Sequence, residues 1–378
     1  MTPEAPAVAA FTPDVHRDRM RRAASEAADR GIDALLITPS PDYLYLLGYR
    51  APAMERLTCL VIPAEGEPTL VLPRLEQPLA RHELGDLAED IELVAWDETD
   101  DPIRIVQRAV GGALRVGVQD QMWARFALRL RAALDPAELV EAGPSMSALR
   151  SVKTGEEISR LRAAAEAADD AMRAIAAEPL SGRTEADVST WIRELLLAAG
   201  HQEAGFAIVA SGPNAASPHH TAGERRIESG DAIVLDIGGI RDGYCSDTSR
   251  TAFVGPPDPE FVALYEVLRE AQRAACDAVQ PGVPAAEIDA VARDIIGEAG
   301  YGDAFIHRTG HGIGLETHEE PYLVSSNPAP LVEGNAFSVE PGIYIRDRWG
   351  ARIEDIVICT AGGGERLNTS TTELLVVD

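Results

Sequence analysis

Four carboxylates lie inside, or at the end of, stretches that otherwise read as buried strand. Asp236 sits in Ile233-Val234-Leu235-Asp236-Ile237-Gly238-Gly239, and Asp247 follows in Tyr244-Cys245-Ser246-Asp247-Thr248. Glu340 closes Phe337-Ser338-Val339-Glu340-Pro341-Gly342, and Glu354 falls within Arg352-Ile353-Glu354-Asp355-Ile356-Val357. A carboxylate among apolar neighbours is costly unless something compensates its charge. Histidine is concentrated in the same half of the chain: five of the eight (His219, His220, His307, His311 and His318) fall within 100 residues. His311 stands between glycines in Gly310-His311-Gly312-Ile313-Gly314, which permits close backbone approach. Carboxylates with one imidazole form a hard, oxygen-rich donor set, suited to Mn²⁺, Co²⁺ or Zn²⁺ rather than Cu(I). Four carboxylates exceed the needs of one small catalytic cation; two cations about 3.5–4 Å apart that share carboxylates would balance the charge.

The elements that must position these residues can be read from local pattern. Arg241-Asp242-Gly243, between the strands of Asp236 and Asp247, is turn chemistry. A turn centred on Arg241-Asp242 sets the two acids directly opposite; one centred on Asp242-Gly243 makes them diagonal neighbours. Both registers point the carboxylates to one face, where like charges destabilise the strand pair unless a cation lies between them. The alternatives are that one acid faces solvent or that the pair shares a proton. Strand alternation puts Arg352 and Glu354 on one face and Asp355 on the other, so Glu354 is the candidate ligand and Asp355 its control. Upstream, Thr154 and Glu157 have capping-box spacing at the head of a helix. Thr184 caps a second helix, Pro259 opens a third, and Ala285–Ala299 forms a fourth. Expected strands cover 207–209, 232–237, 244–253, 337–340, 353–359 and 373–377. Residues 17–150 read instead as alternating α/β, with a helix at 17–30 and strands at 34–37, 58–62, 69–72 and 115–118. Two domains follow, residues 1–150 and 151–378, the second α+β.

Composition excludes several classes. The net charge of −27 over 378 residues repels phosphate backbones, which argues against nucleic-acid partners. Cys59, Cys245, Cys276 and Cys359 are far apart, without the paired spacing of a thiolate zinc site or a disulfide framework. Residues 1–11 lack a basic leader pattern, and no apolar run reaches membrane-spanning length, so a cytoplasmic protein with no membrane partner is expected. The glycines at 310, 312 and 314 are spaced G-x-G-x-G, with Leu315 where a dinucleotide fingerprint needs its third glycine. There is no H-E-x-x-H helix and no G-x-S-x-G elbow.

Asp236, Asp247, His311, Glu340 and Glu354 resemble the five metal ligands of the pita-bread metallopeptidases, the family of proline dipeptidases, Xaa-Pro aminopeptidases and methionine aminopeptidases. The eleven-residue step between the two Asp and the fourteen-residue step between the two Glu are similar to the family pattern. So is the run Gly310 to Pro321, with His318 seven residues after His311. Ser211-Gly212-Pro213-Asn214-Ala215-Ala216-Ser217-Pro218-His219 resembles the loop that carries a substrate-facing His. Leu149 to Lys153 with Glu156-Glu157-Ile158 resembles the start of the catalytic domain, and Pro41 to Gly48 resembles the creatinase-type N-domain. Two departures stand out: Thr317 replaces a Val or Ile, and Tyr322-Leu323 follow Pro321 where some proline dipeptidases have an Arg for the substrate carboxylate.

The resemblance implies a creatinase-like α/β N-terminal domain followed by a pita-bread catalytic domain, an α+β chain overall. It also implies a homodimer that hydrolyses Xaa-Pro bonds of small peptides. In that scheme Asp236 holds one divalent metal ion, Asp247 and Glu354 bridge two, and His311 and Glu340 hold the second, with Mn²⁺ or Co²⁺ ahead of Zn²⁺. A hydroxide shared by the metals attacks the carbonyl, and Glu340 carries the proton to the leaving nitrogen. His219 and His318 steady the oxyanion, and Arg352 orients Glu354 or the substrate carboxylate. His220 and His307 are left as structural or rim residues. The alternatives are a metal-dependent hydrolase or lyase for a small non-peptide amide or cyclic compound, and, more remotely, a metal-free peptide- or protein-binding module.

Overall fold

A computed structural model describes residues 10–378, which divide into two compact units, the break falling between Arg150 and Ser151. The N-terminal unit is built on one six-stranded mixed sheet. Its strands are β1 (Ala34–Ile37), β2 (Cys59–Pro63), β3 (Thr69–Pro73), β4 (Glu92–Trp96), β5 (Arg115–Val118) and β6 (Glu138–Glu141). Their spatial order is β4-β3-β2-β1-β5-β6, with β1-β2 and β2-β3 antiparallel and the other pairs parallel. The first helix covers Pro13–Asp29 and so begins before the expected residue 17, because Pro13 suits a first helical turn. Strands β4 and β6, which the pattern did not announce, carry few fully buried side chains and so lack a strong apolar signature.

The second unit opens on helix Gly155–Ala176, headed by a complete Thr154–Glu157 capping box; helix Glu185–Ala198 is capped the same way by Thr184 and Asp187. Its strands are β7 (Glu203–Ser211), β8 (Ala232–Arg241), β9 (Tyr244–Cys245), β10 (Thr248–Val254), β11 (Gly310–Gly312), β12 (Glu319–Leu323), β13 (Ala336–Val339), β14 (Gly342–Ile345), β15 (Trp349–Arg352), β16 (Asp355–Thr360), β17 (Gly363–Arg366) and β18 (Leu375–Val377). One sheet runs β18-β10-β8-β7, with β9 on β8; another runs β12-β11-β13-β16-β17; β14 and β15 form a separate ribbon. A bridge from Ser249 to Glu354 joins the two larger sheets.

Alternation explains which face each side chain takes. On the first sheet Ala207, Val209, Ile233, Leu235, Ile237, Ala252 and Val254 pack with helices Gly155–Ala176 and Glu185–Ala198. The opposite parity, including Phe206, Ile208, Asp236, Asp247 and Ser249, is left for the other face. On the second side Phe337, Val339, Ala351, Ile353, Val357 and Cys359 pack with helices Pro259–Ala278 and Ala285–Glu298. That leaves Ser338, Glu340, Arg352 and Glu354 facing inward. Helices clothe the outside, and the inner faces of the sheets hold the polar residues.

Two expected strands are interrupted. The stretch 244–253 breaks at Ser246-Asp247, where the Ser246 hydroxyl takes the Gly239 N–H at 3.1 Å and pairs with His201 Nε2 at 2.8 Å. The stretch 353–359 begins only at Asp355, because Arg352 pairs within the β14–β15 ribbon while Asp355 pairs with β13. Of the two turn registers, the one centred on Asp242-Gly243 is found: Arg241 faces Tyr244 and Asp236 faces Ser249. Asp242 at φ 50° and Gly243 at φ 84° supply the two left-handed positions of a tight hairpin turn. Asp236 and Asp247 are therefore diagonal neighbours on one face.

Candidate metal centre and its cleft

Asp236, Asp247, His311, Glu340 and Glu354 come together at the floor of a cleft of about 880 Å³. His219, His307, Arg308, His318 and Arg352 also line it, with Phe206, Ile208, Ile306 and Thr317 on the walls. Ligand atoms of Asp247, His311 and Glu354 all lie within 4.8 Å of one another. Glu340 joins them through His311, whose Nε2 is 3.1 Å from Glu340 Oε1 and 3.6 Å from Asp247 Oδ2. The β13–β16 register pairs Val339 with Asp355, so one step further Glu340 comes opposite Glu354. The control behaves differently: Asp355 turns outward and pairs with buried Arg250 at 2.7 Å and Gln272 at 3.0 Å.

His311 Nδ1 lies 3.1 Å from the carbonyl of Gly312, and an acceptor there assigns the proton to Nδ1. In the neutral ring the lone pair of Nε2 then faces the carboxylates; in the metal-free site a ring that also carries a proton on Nε2 donates to Glu340. Gly310 and Gly312 make this possible, since a Cβ on either would collide with the Ser338 or Glu320 carbonyl.

Arg352 organises the acids from beneath. Its Nη2 donates to Asp236 Oδ2 at 2.6 Å, and its Nε donates to Ser249 Oγ at 2.9 Å. Ser249 in turn donates to Glu354 Oε2 at 2.8 Å. One oxygen of each acid is thereby fixed, while Asp236 Oδ1 and Glu354 Oε1 are buried without a hydrogen-bond partner. Burial, then the neighbouring carboxylates, pushes the pKa of Asp247 and Glu354 well above the usual carboxylate range. For Glu340, burial opposes ionisation, but the hydrogen bond and charge of His311 outweigh it and lower the pKa. Orphaned oxygens, a lone pair aimed at carboxylates and acids forced to hold protons are all relieved by divalent cations, so this donor set fits a metal.

The histidines divide by role. His318 packs edge-on against His311, ring centroids 4.2 Å apart, and burial followed by the charge of His311 lowers its pKa to about 4. It is neutral at neutral pH and can offer an N–H. His219 is exposed at the cleft on the loop after β7. His220 is tied to buried Glu185 at 2.7 Å, the structural role expected of it. His307, left as a structural or rim residue, lines the cleft, and its Nε2 is 2.9 Å from the Tyr344 hydroxyl. His307 Nδ1 lies 2.7 Å from its neighbour's carbonyl, so Nε2 accepts and Tyr344 donates. Burial drives the Tyr344 phenol up to about 12, which keeps that proton in place. Sequence pattern had not pointed to Tyr344, Ser249 or Glu185; their signal was only a polar group among strand or cap residues.

Among the described residues no helix is long and apolar enough to cross a membrane, and the four cysteines are buried and form no disulfide.

Comparison with known proteins follows the same lines. Residues 159–361 match the model described as metallopeptidase family M24, and residues 19–152 match the creatinase/prolidase N-terminal domain. A probable dipeptidase PepE of Mycobacterium tuberculosis is 46% identical over 373 residues, covering 97% of this chain and 98% of the relative. An Xaa-Pro dipeptidase of Pyrococcus horikoshii is 32% identical over 363 residues, covering 96% and 100%. The crystal structure of dipeptidase PepE from Mycobacterium ulcerans superposes with a TM-score of 0.93 at 45% identity, covering 98% and 100%.

Proposed function

The chain belongs to metallopeptidase family M24, with a creatinase-type N-terminal domain and a pita-bread catalytic domain, and from that premise we propose that it hydrolyses the bond before proline in short peptides. The observation that carries the reading is the convergence of five donors, four of them buried and two with orphaned oxygens, on the floor of a cleft of peptide size. Asp236, Asp247, His311, Glu340 and Glu354 would hold two divalent cations, Mn²⁺ or Co²⁺ in preference to Zn²⁺. Such a pair supplies Lewis acidity and brings the pKa of a bound water toward neutrality.

The chain's own groups do the rest. Glu340 accepts a proton from the attacking water and returns it to the departing proline nitrogen. Neutral His318 donates an N–H toward the oxygen on which charge develops, and exposed His219 reaches the same cleft from the facing loop. Arg352 is a positioning residue that aims Asp236 directly and Glu354 through Ser249. Phe206, Ile208 and Ile306 give the cleft an apolar wall on which a proline ring can pack. Two relatives support the class, one a probable dipeptidase and one an Xaa-Pro dipeptidase.

The test is a panel of Ala-Pro, Ala-Pro-Ala, Ala-Ala and N-capped Ala-Pro, after loading with Mn²⁺, Co²⁺ or Zn²⁺. Metal-dependent cleavage confined to uncapped Xaa-Pro substrates supports the proposal. A protein that binds two cations and cleaves none of the panel refutes it and points to a non-peptide amide or cyclic substrate.

A further inference from the structure

The floor of the cleft carries four acids, and the whole chain carries a net charge of −27. A peptide that binds there brings a carboxylate of its own whenever its last residue is near the scissile bond. That group needs a cation, or it is repelled. Two cationic side chains line the cleft, Arg352 and Arg308.

Four of the five N–H donors of Arg352 are already placed. Nε is given to Ser249, Nη1 to the Tyr344 hydroxyl at 2.8 Å and the Pro218 carbonyl at 3.4 Å, and Nη2 to Asp236; the residue is 2% exposed. Removing it from Asp236 or from Ser249, which holds Glu354, would unseat a proposed metal ligand. It is not available for the substrate.

Arg308 is the opposite case. It is half-buried on the segment entering β11, and no carboxylate among the described residues stands within ion-pair distance of it. Its one close partner is Tyr322 on β12, with the guanidinium carbon 4.4 Å from the ring centroid. A contact to the ring face fixes the plane of the guanidinium but consumes none of its in-plane N–H donors. Those donors form the fork that matches a carboxylate in a two-pronged hydrogen-bonded pair. The backbone beneath is held firmly. The Arg308 carbonyl receives the His307 imidazole at 2.7 Å, and Thr309 gives its N–H and its hydroxyl to buried Asp289 at 3.0 and 2.8 Å. An arginine that is preoriented, unpaired and set in a cleft of an acidic protein is a receptor for an anion.

We propose that Arg308, steadied by Tyr322, is the specificity-determining residue that takes the free C-terminal carboxylate of a dipeptide and thereby favours dipeptides over longer or amidated substrates. The assignment rests on the peptidase reading above. Tyr322 acts as a positioning residue: its ring sets the angle at which the fork is presented.

The experiment compares Ala-Pro with its C-terminal amide, Ala-Pro-NH₂, and with Ala-Pro-Ala, for the full-length metal-loaded protein and for Arg308→Gln and Arg308→Lys. The wild type should favour the free acid over the amide by about ten- to a hundredfold in kcat/KM, the span of a charge-assisted pair. In Arg308→Gln that ratio should collapse toward one, chiefly through a rise in KM for the acid. Arg308→Lys, which keeps the charge but loses the fork, should fall between. Equal metal content and equal thermal midpoints in the three proteins exclude misfolding as the cause. A wild type indifferent to amidation, or an Arg308→Gln variant that keeps the full preference, overturns the assignment while leaving the peptidase reading intact. A wild type that cleaves none of the three substrates overturns both.

Discussion

Breaking the ion pair between Lys153 and Glu319 should damage the protein more than removing both charges together. Lys153 is the only lysine in the sequence; every other basic side chain apart from histidine is arginine. It is buried with Glu319, their side chains 2% and 8% exposed, in direct contact. Glu319 follows His318 at the start of β12, so the pair ties the head of the catalytic unit to the segment that presents a cleft histidine. Space there is scarce, because a Cβ on Gly314 would strike the Glu319 carboxylate. A compact ammonium fits where a guanidinium fork would crowd. Removing one member of a buried pair strands a charge and costs about 3–5 kcal/mol, whereas replacing both with neutral groups of similar shape is close to neutral. Lys153→Met should therefore lower the urea midpoint by at least about 1 M, given slopes of about 1–3 kcal/mol per molar. The double variant Lys153→Met/Glu319→Gln should recover most of that loss. Lys153→Arg should cost about 1–3 kcal/mol through overpacking despite conserving charge. Urea unfolding of the metal-free protein gives all four stabilities. A Lys153→Met variant within about 0.3 M of wild type, or a double variant no more stable than Lys153→Met, would refute the reasoning.

Three further outcomes are expected. Arg352→Met should leave Asp236 and Glu354 unaimed and lower metal affinity by about 10–100-fold, read by titration calorimetry; unchanged affinity would remove its positioning role. Buried Glu185 accepts from Ser211 N–H at 2.8 Å and Oγ at 2.6 Å, Asn214 at 3.0 Å, His220 at 2.7 Å and Gly223 at 3.3 Å, so it anchors the loop that carries His219. Glu185→Ala should lower kcat about tenfold or more and destabilise the protein by about 3 kcal/mol, with partial rescue by Gln; equal kcat in the Ala variant would show that the loop holds without it. Burial lowers the His201 pKa from 6.5 to about 4. Below about 6.5 the unfolded chain takes up a proton that the folded state resists, so this contribution is complete above that pH and is lost as pH falls toward about 4, by up to about 3 kcal/mol. His201→Gln should flatten the thermal midpoint over that window, and an unaltered slope would show that another group sets it.

Much of the site was legible because β-strand alternation is local. An acid at an even or odd position inherits its face from its apolar neighbours, which is why Asp236 and Glu354 turn inward and Asp355 outward. The capping boxes at Thr154 and Thr184 were legible for the same reason, since their partners lie three residues away. The residue types and spacings by themselves pointed to a donor set for divalent cations.

What remained open depended on contacts between distant segments. Local turn chemistry allowed two hairpin registers, and packing of the whole sheet selected the one centred on Asp242-Gly243. Two proposed roles for Arg352 were separated only when Asp236, Ser249, Tyr344 and Pro218 were found around it, since Asp236 is 116 residues away in sequence. His307 could be placed in the cleft only once Tyr344, 37 residues on, supplied its partner. Lys153 and Glu319, 166 residues apart, carry no mutual periodicity at all. Sequence pattern fixes the direction of a side chain relative to its own strand; which groups it meets is set by the folding of one sheet against another, and that information resides in the tertiary structure.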